Sequence, residues 1–251
     1  MDTDQAQLLA QARRYLEDLQ LFEGGEFIAP RPLAPEAVLP APAAAPLSVD
    51  DPPHLAGALP LPGGDRAGLL EEFRQQICEC TLCPLGQTRQ HFVFGDGNPA
   101  AGILFVGEGP GEEEDRQGLP FVGAAGQLLT KIIEAMKMGR SEVYICNTVK
   151  CRPPGNRTPA AEELAACAPY LERQIEIIGP RIICALGKTA AQALLQLNSP
   201  LGAMRGRLHQ YRGIPVVVTY HPAALLRHAE WKRQTWEDVK WLRREYDGTQ
   251  L

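Results

Sequence analysis

The hydrophobic positions between Ile103 and His221 gather into four short runs that are almost continuously apolar. Each run is five to seven residues long and rich in β-branched residues. Continuous apolarity over so short a length is typical of strands that are buried on both faces of a parallel sheet. The predicted strands are Ile103–Gly107 (ILFVG), Val143–Val149 (VYICNTV), Arg181–Gly187 (RIICALG) and Pro215–His221 (PVVVTYH).

Segments whose apolar residues recur at helical spacing separate these runs. At one of them, Thr158 followed by Pro159 and then Glu162 predicts a helix start with Thr158 as the N-cap. The alternation of strands and helices predicts an α/β fold, a three-layer α/β/α sandwich with a mainly parallel sheet. The predicted helices cover LLEEFRQQI after Gly68, Ala124–Met136, Pro159–Ile178, Lys188–Leu197 and Glu230–Tyr246.

Folds of this class bind ligands outside the carboxyl ends of the parallel strands. We therefore expect the functional site to be built by the loops that begin at Gly107, Asn147, Gly187 and His221. Three of these loops begin with, or next to, a side chain that can do chemistry: Glu108, Asn147 and His221.

The first 66 residues differ from the rest of the chain. Residues 3–20 have apolar positions at helical spacing, which predicts a short helix. Ten prolines lie between Pro30 and Pro62, and this density predicts a flexible or polyproline-like tether. We therefore divide the chain into residues 1–66, a helix plus a Pro/Ala-rich linker, and a globular domain over residues 67–251. The extension is either disordered chain with a frayed helix or a docking helix for a protein partner.

The net charge of −5 is unevenly distributed. Residues 1–66 carry four Arg and no Lys against ten Asp and Glu, so the remaining chain is close to neutral, and this balance neither requires nor excludes nucleic acid. No apolar run reaches the roughly 18 residues that would span a bilayer, so no membrane association is expected. The charged N-terminus does not have the pattern of an export signal. We therefore expect a cytoplasmic protein whose thiols stay reduced.

Four of the seven cysteines have the spacing of a ligand set. Cys80 and Cys83 form a CxxC, and Cys151 and Cys167 follow far downstream. A redox-active dithiol is disfavoured because a helix, not a strand, precedes the CxxC. Spacing alone leaves three alternatives open: a structural zinc ion, an iron–sulfur cluster, or unconnected buried cysteines. The others, Cys78, Cys146 and Cys184, are interpreted as core residues, with Cys78 the rival ligand because it lies beside Cys80.

The loop after the first strand, GEGPGEEEDRQGLPFVGAAG, is rich in glycine, which lets the backbone approach a ligand closely. Its spacing is neither G-x-G-x-x-G nor that of a P-loop, and the acidic run from Glu112 to Asp115 would repel a phosphate. A dinucleotide site is therefore disfavoured. Phe121 in this loop is either a core residue or a flat surface on which a base could stack.

Two further polar residues are candidates for ligand contacts. Asn147 lies in an otherwise apolar strand, and a buried amide needs hydrogen-bond partners, supplied either by the backbone or by a ligand such as the edge of a pyrimidine. His221 is either a capping loop residue or an imidazole directed at a ligand. Leu225 and Leu226 follow it on a loop predicted to be exposed.

Taken together, these stretches resemble the iron–sulfur uracil-DNA glycosylases, the family-four, thermostable-type members of their superfamily. The resemblance is carried by GEGPGEEEDRQGLPFVGAAGQLL, VYICNTVKCRPPGNRTP and HPAALLR, together with Cys80-x-x-Cys83 and Cys167, and covers about residues 73–245. It implies a four-stranded parallel sheet and a catalytic domain over residues 67–251. It also implies hydrolysis of the N-glycosidic bond of a uracil flipped out of single- or double-stranded DNA, which leaves an abasic site and initiates base excision repair.

The same resemblance implies roles for individual residues. It implies one [4Fe–4S] cluster on Cys80, Cys83, Cys151 and Cys167. It implies a uracil pocket made by the backbone of Gly107, Glu108 and Gly109, by Phe121 as stacking surface, by Asn147 reading the base edge, and by His221 at a uracil carbonyl. Glu108, Glu114 and Asn156 fall on positions that hold the attacking water, and Leu225 or Leu226 lies where a wedge would enter the duplex.

Two other classes of function remain open at this point. One is a DNA-binding module that uses the same pocket without chemistry, and the other is a zinc-stabilised hydrolase of a small nucleotide. The retained Glu108, Asn156 and His221 count against the first, and the acidic run counts against the second. We expect a monomer on DNA, with phosphate contacts from the basic residues near the loops, namely Lys150, Arg152, Arg157 and Arg227.

Overall fold

The computed structural model describes residues 65–248, which are built around a six-stranded sheet. The predicted helix at residues 3–20 and the proline-rich tether lie outside the described residues. Across the sheet the strand order is β1-β3-β2-β4-β6-β5. The strands are β1 (Asp96–Gly97), β2 (Ile103–Gly107), β3 (Tyr144–Asn147), β4 (Ile182–Leu186), β5 (His209–Tyr211) and β6 (Ile214–Thr219).

The four predicted strands form the parallel centre of this sheet, with β2 between β3 and β4 and with β6 beside β4. Their existence and direction are confirmed, and their ends differ from the prediction by at most two residues. The expected four-stranded sheet is nevertheless corrected to six strands, because β1 and β5 pair antiparallel at the two edges. Strands of two and three residues are too short to show any hydrophobic period.

Helices cover both faces of the sheet. Alternate residues of β2 point to opposite faces, so Leu104 and Val106 pack in one buried cluster while Ile103 and Phe105 pack in the other. The three-layer prediction is thus confirmed. The helices are α1 (Arg66–Ile77), α2 (Leu85–Thr88), α3 (Glu112–Gln117), α4 (Ala124–Ala135), α5 (Ala161–Ile178), α6 (Lys188–Leu195), α7 (Leu201–Met204), α8 (Pro222–Arg227) and α9 (Lys232–Gly248), with 3-10 turns at Arg140–Glu142, Pro154–Asn156 and Ala229–Trp231.

The start of α5 corrects one local prediction. Its N-cap is Ala160 rather than Thr158, and the Glu163 carboxylate accepts a hydrogen bond of 2.7 Å from the Ala160 N–H. Glu163 also pairs with Arg157, and the two bonds together keep the pKa of Glu163 below its ordinary value. The cap is therefore supplied by the side chain at the third helical position, which is one half of a capping box and is not detected by a search for Ser, Thr, Asp or Asn at the N-cap.

None of the helices within residues 65–248 has both the length and the apolar character needed to cross a membrane.

Candidate active site

A cleft of about 560 Å³ lies at the carboxyl ends of the parallel strands. All four loops expected to build the site contribute to its wall, beginning after β2, β3, β4 and β6. Residues at the cleft include Glu108, Gly109, Glu114, Phe121, Asn147, Asn156, Gly187, His221 and Arg227. The topological rule for ligand sites in open α/β sheets thus locates the cleft in this chain.

Gly107, at the end of β2, does not itself line the cleft but lies against two residues that do, Asn147 and Phe121. It lies directly opposite Asn147 in the β2–β3 register. A Cβ at Gly107 would stand 2.4 Å from Asn147 Oδ1 and 2.5 Å from Phe121 Cζ, so any larger residue would collide with both. Glycine at this position therefore permits the strand end, the amide and the aromatic ring to meet around one small space.

The Asn147 side chain is buried, with 1% of its surface exposed. Its Oδ1 is the one buried side-chain N or O atom within residues 65–248 that has no hydrogen-bond partner. An unsatisfied buried amide oxygen costs about 1–3 kcal/mol. A native chain retains such a cost where a ligand removes it, so this atom marks where a hydrogen-bond donor is expected to bind.

Phe121 adopts a left-handed backbone conformation, with φ of 52°, which is strained for a bulky residue. Its neighbours hold it there. The Arg140 guanidinium donates to the carbonyls of Phe121 and Pro120 at 3.1 and 2.6 Å. Gly126 in α4 leaves room for the Phe121 carbonyl, which would lie 1.9 Å from a Cβ at that position. The strained turn presents the Phe121 ring to the cleft.

His221 is the N-cap of α8, and its Nδ1 accepts a hydrogen bond of 3.2 Å from the Ala223 N–H. A neutral imidazole with an accepting Nδ1 carries its proton on Nε2. Burial, assisted by the positive charge of Arg227, lowers the pKa of His221 to about 4. The ring packs against Phe121 with centroids 5.5 Å apart. At neutral pH the cleft therefore contains an uncharged imidazole with an N–H donor available.

The two candidate carboxylates differ in their surroundings. Glu108 Oε2 accepts a hydrogen bond from the hydroxyl of Thr189, which leaves Oε1 for a water molecule or a ligand. Glu114 accepts backbone N–H bonds on both oxygens, from Val122 and Gly123 on Oε1 and from Gly111 on Oε2. Glu114 thus fixes the loop that carries Phe121, and Glu108 is the less committed carboxylate.

Asn156, the third residue expected near the attacking water, lies at the rim of the cleft. It is exposed and has a φ of 56° in the 3-10 turn Pro154–Asn156. Its Oδ1 accepts a hydrogen bond of 2.8 Å from Arg152 Nε. The amide nitrogen of Asn156 is therefore the part of this side chain that remains available for a ligand.

The two wedge candidates lie in the short helix α8 rather than on the predicted exposed loop, and they have opposite environments. Leu225 is buried, with 2% of its surface exposed, whereas Leu226 is 53% exposed. A side chain that enters a duplex must be free to leave its own protein surface. Of the two leucines, Leu226 has this freedom and Leu225 belongs to the packing of α8.

The predicted phosphate contact by Lys150 is wrong, because this side chain is fully buried. Its Nζ donates to the carbonyl of Asn147 at 2.7 Å and to Gln174 Oε1. The other basic candidates lie near the surface. Arg152 pairs with Glu112, and Arg157 pairs with Glu163, while Arg227 lines the cleft and is exposed.

The four thiols predicted as a ligand set come together beside α2 and α5. Cys151 and Cys167 are buried in one small cluster with Cys83 packed against it. Cys80 and Cys83 both act electrostatically on Cys151, whose pKa is raised mainly by burial. All four are free thiols, as are the other three cysteines. Of those three, Cys146 and Cys184 are core residues as predicted, whereas the same prediction for Cys78 is wrong because Cys78 is only partly buried.

Several groups in this region donate to sulfur. Arg89 donates to Cys151 Sγ at 3.2 Å, and Cys80 Sγ accepts from the Tyr170 hydroxyl at 3.3 Å and from the Leu82 N–H at 3.5 Å. Burial raises the pKa of Cys167 to about 12, and the positive charge of Lys150 opposes this rise. Four thiols with donors and two cations around them form a set suited to thiolates bound to a positively charged centre.

A structural zinc ion, one of the centres considered from the sequence, needs closely spaced sulfurs. Within residues 65–248, no group of three or more His, Cys, Asp and Glu side chains is placed to hold a metal ion. Tetrahedral zinc has Zn–S bonds of about 2.3 Å, so its sulfurs lie only ~4 Å apart. A cluster with four iron atoms has a larger core and holds its four cysteines farther from one another.

Three supporting residues of the site were not predicted from the sequence. Thr189 holds the Glu108 carboxylate, Arg140 holds the Phe121 turn, and Arg89 contacts Cys151. Thr189 had a usable signal, since it lies one residue into the helix that follows Gly187. Arg140 and Arg89 had none, because their contacts with Phe121 and Cys151 join residues that are 19 and 62 positions apart.

Comparison with known proteins gives a consistent result. Residues 94–241 match the family model described as the Uracil DNA glycosylase superfamily. The type-4 uracil-DNA glycosylase of Thermotoga maritima is 46% identical over 179 residues, which are 70% of this chain and 93% of that protein. Those of Sulfurisphaera tokodaii and Pyrobaculum aerophilum are 44% and 48% identical over 69% and 63% of this chain, covering 83% and 85% of those proteins.

Proposed function

Since this chain belongs to the Uracil DNA glycosylase superfamily, and to the type-4 uracil-DNA glycosylases within it, we propose that the cleft binds a uracil extruded from DNA and hydrolyses its N-glycosidic bond. The products are free uracil and an abasic site, the starting point of base excision repair. The observation that carries this assignment is the unpartnered Asn147 Oδ1, buried between Gly107 and Phe121.

Base selection follows from the hydrogen-bonding pattern of that amide. Asn147 Oδ1 accepts from uracil N3–H, and its amide nitrogen donates to uracil O4. Cytosine presents an acceptor at N3 and an amine at C4, so both contacts would face the wrong partner. A site built around such bonds rejects a mismatched base strongly, because its own buried polar groups are left unpaired. Phe121 supplies the face on which the base stacks.

The chemistry is divided between two sides of the base. As the glycosidic bond breaks, negative charge develops on the uracil and positive charge on the sugar. The Nε2–H of His221 donates to uracil O2 and stabilises the leaving anion, as an oxyanion-hole donor does. Glu108, held by Thr189, orients the attacking water through its second oxygen, and Asn156 assists from the rim. Glu114 acts by holding the Phe121 loop.

Extruding the base costs a few kcal/mol of stacking and pairing, which is least for a mismatched or single-stranded uracil. The exposed Leu226 fills the vacated stack, as apolar wedges do in other kinked duplexes. Arg227, the next residue, lies where a phosphate of the extruded strand would pass.

Leu226→Ala should lower kcat/KM on double-stranded uracil DNA by about tenfold and leave single-stranded DNA nearly unaffected, because only the duplex has a stack to fill. The measurement is excision rate on matched single- and double-stranded oligonucleotides. Leu208→Ala is the control, since Leu208 is similarly exposed at 42% and does not line the cleft. Equal losses on both substrates would remove the wedge role.

A [4Fe–4S] cluster is proposed on Cys80, Cys83, Cys151 and Cys167. When bound, it supplies four iron–sulfur bonds that cross-link the CxxC segment, the loop after β3 and α5. The two cations beside the thiols, Lys150 and Arg89, match the negative charge that four thiolates bring. The side chains and backbone groups described above bind the base, the attacking water and the DNA.

Purified protein should be yellow-brown and contain about four irons per chain. Cys167→Ser should lose both iron and colour, whereas Cys78→Ser should keep them, because Cys78 is a partly buried neighbour that lies outside the cluster of Cys83, Cys151 and Cys167. Iron and zinc contents measured by elemental analysis decide the matter. A colourless protein with one zinc ion would contradict the cluster.

The activity itself is tested with single- and double-stranded oligonucleotides that carry one uracil, followed by alkali to cleave abasic sites. Scission at uracil, and none when thymine or cytosine occupies the same position, is the expected result. Retention of the DNA without scission would instead assign a binding module. We assign this activity to residues 67–251 acting as a monomer.

A further inference from the structure

Trp231 stacks on residues at both ends of the α8 segment, by which we mean residues 220–228. The Tyr220 ring, at the start of the segment, lies 4.7 Å from the Trp231 ring between centroids, and the two planes are 13° apart. The His228 ring, at its end, lies 4.2 Å from the Trp231 ring, with the planes 25° apart. Near-parallel aromatic rings at these separations attract one another. One indole therefore joins the two ends of a short segment.

The α8 segment carries two residues on which the proposed chemistry depends. His221 follows Tyr220 directly, and the exposed Leu226 lies two residues before His228. His228 is also the C-cap of α8, and its N–H donates to the Ala224 carbonyl at 2.9 Å. A short chain that is fixed at both ends can adopt few conformations. The contacts of Trp231 therefore restrict the positions of the imidazole and of the leucine together.

The Tyr220 ring is fixed by further contacts outside the α8 segment. Arg205 Cζ lies 4.2 Å from the centroid of that ring, and the Tyr220 hydroxyl donates to Gln234 Oε1 at 2.8 Å. Arg205 forms an ion pair of 2.8 Å with the buried Asp238, whose carboxylate also accepts a hydrogen bond of 2.7 Å from the Thr219 hydroxyl. The stacked rings are thus anchored to β6 and α9.

Trp231 itself is held by its backbone and does not line the cleft. Its N–H donates to the His228 carbonyl at 3.2 Å, and its carbonyl accepts from the buried Thr235 hydroxyl at 3.1 Å. These backbone bonds do not need the indole, so a substitution of the side chain removes the stacking and leaves the turn in place.

We propose that Trp231 is a positioning residue that holds the His221 imidazole at the base and the Leu226 wedge at the duplex by stacking on both ends of the α8 segment. This inference rests on the proposed uracil excision and goes beyond it, because it makes a side chain outside the cleft a determinant of both the chemical step and the use of duplex DNA. A tryptophan with a merely structural role would contribute to stability and to neither of these.

Trp231→Ala should lower kcat/KM about tenfold on single-stranded uracil DNA, through kcat with little change in KM, because the His221 donor is less well aligned. On double-stranded DNA the loss should be about a hundredfold, since the wedge is misplaced as well. Trp231→Phe keeps a ring that can stack and should restore most of both losses. The measurement is kcat and KM on matched single- and double-stranded oligonucleotides.

A double variant tests whether Trp231 acts through the wedge. Relative to Leu226→Ala, the combination of Leu226→Ala with Trp231→Ala should lose the same tenfold on both forms of DNA, because the wedge is already absent and only the alignment of His221 can still be lost. A full hundredfold further loss on double-stranded DNA would show that the two residues act independently, and this would overturn the proposal.

Trp241→Ala is the matched control, since Trp241 is another partly buried tryptophan of α9 that packs against the core and does not line the cleft. It should lower thermal stability and leave the ratio of double-strand to single-strand rates at the wild-type value. If Trp231→Ala does not fold, His228→Ala decides the question, because the His228 side chain is 46% exposed. It frees the end of the segment nearest the wedge and should lower excision from double-stranded DNA alone, by about tenfold.

The outcomes separate this inference from the function on which it rests. A wild-type chain that does not excise uracil would contradict the proposed function. Wild-type excision combined with a folded Trp231→Ala, or with His228→Ala, that keeps the wild-type ratio of double-strand to single-strand rates would overturn the role of Trp231 alone. So would a rise in KM at unchanged kcat on single-stranded DNA, because the stacked rings would then be a direct DNA contact.

Discussion

Asn147→Asp should lower uracil excision by about 10⁴-fold, the loss typical of a site whose buried hydrogen-bonding pattern no longer matches its ligand. The carboxylate cannot donate to uracil O4, so it would repel that oxygen. Burial would also raise the pKa of the new carboxyl group and so favour its neutral form. In that form the carbonyl oxygen accepts from the amine of cytosine, and the hydroxyl donates to cytosine N3. A low but measurable excision of cytosine is therefore expected. The measurement is single-turnover excision from oligonucleotides that differ only in that base.

Asn198→Asp provides the control for the change in charge. Asn198 is exposed, lies outside the cleft and shares only a long hydrogen bond with Gln192. It should excise uracil at the wild-type rate. Unchanged uracil excision by Asn147→Asp would show that Asn147 does not read the base. It would also contradict the interpretation of its unpartnered Oδ1 as a ligand contact.

The parallel core of the fold was predictable because burial on both faces leaves a simple trace in the sequence. Strands such as ILFVG and IICAL have no polar side, and the first ends at a glycine while the second is followed by one. The edge strands β1 and β5 left no such trace, because they are two and three residues long and partly exposed. Their pairing follows from tertiary contact, which no local pattern encodes.

The site was predictable in outline and less so in detail. Strand topology alone indicated which four loops would meet, and the cleft lies there. Residue type was a poor guide to exposure, however. Lysine usually lies on the surface, yet Lys150 is buried because Asn147 and Gln174 offer it acceptors from separate elements. Leu225 and Leu226 are identical in type, and only the orientation of α8 distinguishes the buried one from the exposed one.

His221→Leu should lower kcat by about 10²–10³-fold with little change in KM, because the Nε2–H bond to uracil O2 strengthens only as charge develops. Leucine keeps the apolar contact with Phe121 and removes the donor. His209→Leu is the control, because His209 likewise bonds to the backbone, through Nε2 to the carbonyl of Met204, and lies outside the cleft. An equal loss in both variants would point to general destabilisation.

The pH dependence of stability tests the same imidazole independently of catalysis. The pKa of His221 is lowered from 6.5 to about 4 by burial, so the folded chain binds this proton more weakly than the unfolded chain. As pH falls from about 6.5 towards 4, the unfolded state gains the proton first, and the free energy of unfolding must decrease. The contribution of the neutral His221 imidazole to the free energy of unfolding is fully present above about pH 6.5 and is lost as the pH falls towards 4. As the pH falls across this interval, His221→Leu should therefore lose less stability than the wild type. If the two plots of unfolding free energy against pH run parallel, the imidazole is not held neutral and its role as a donor lacks support.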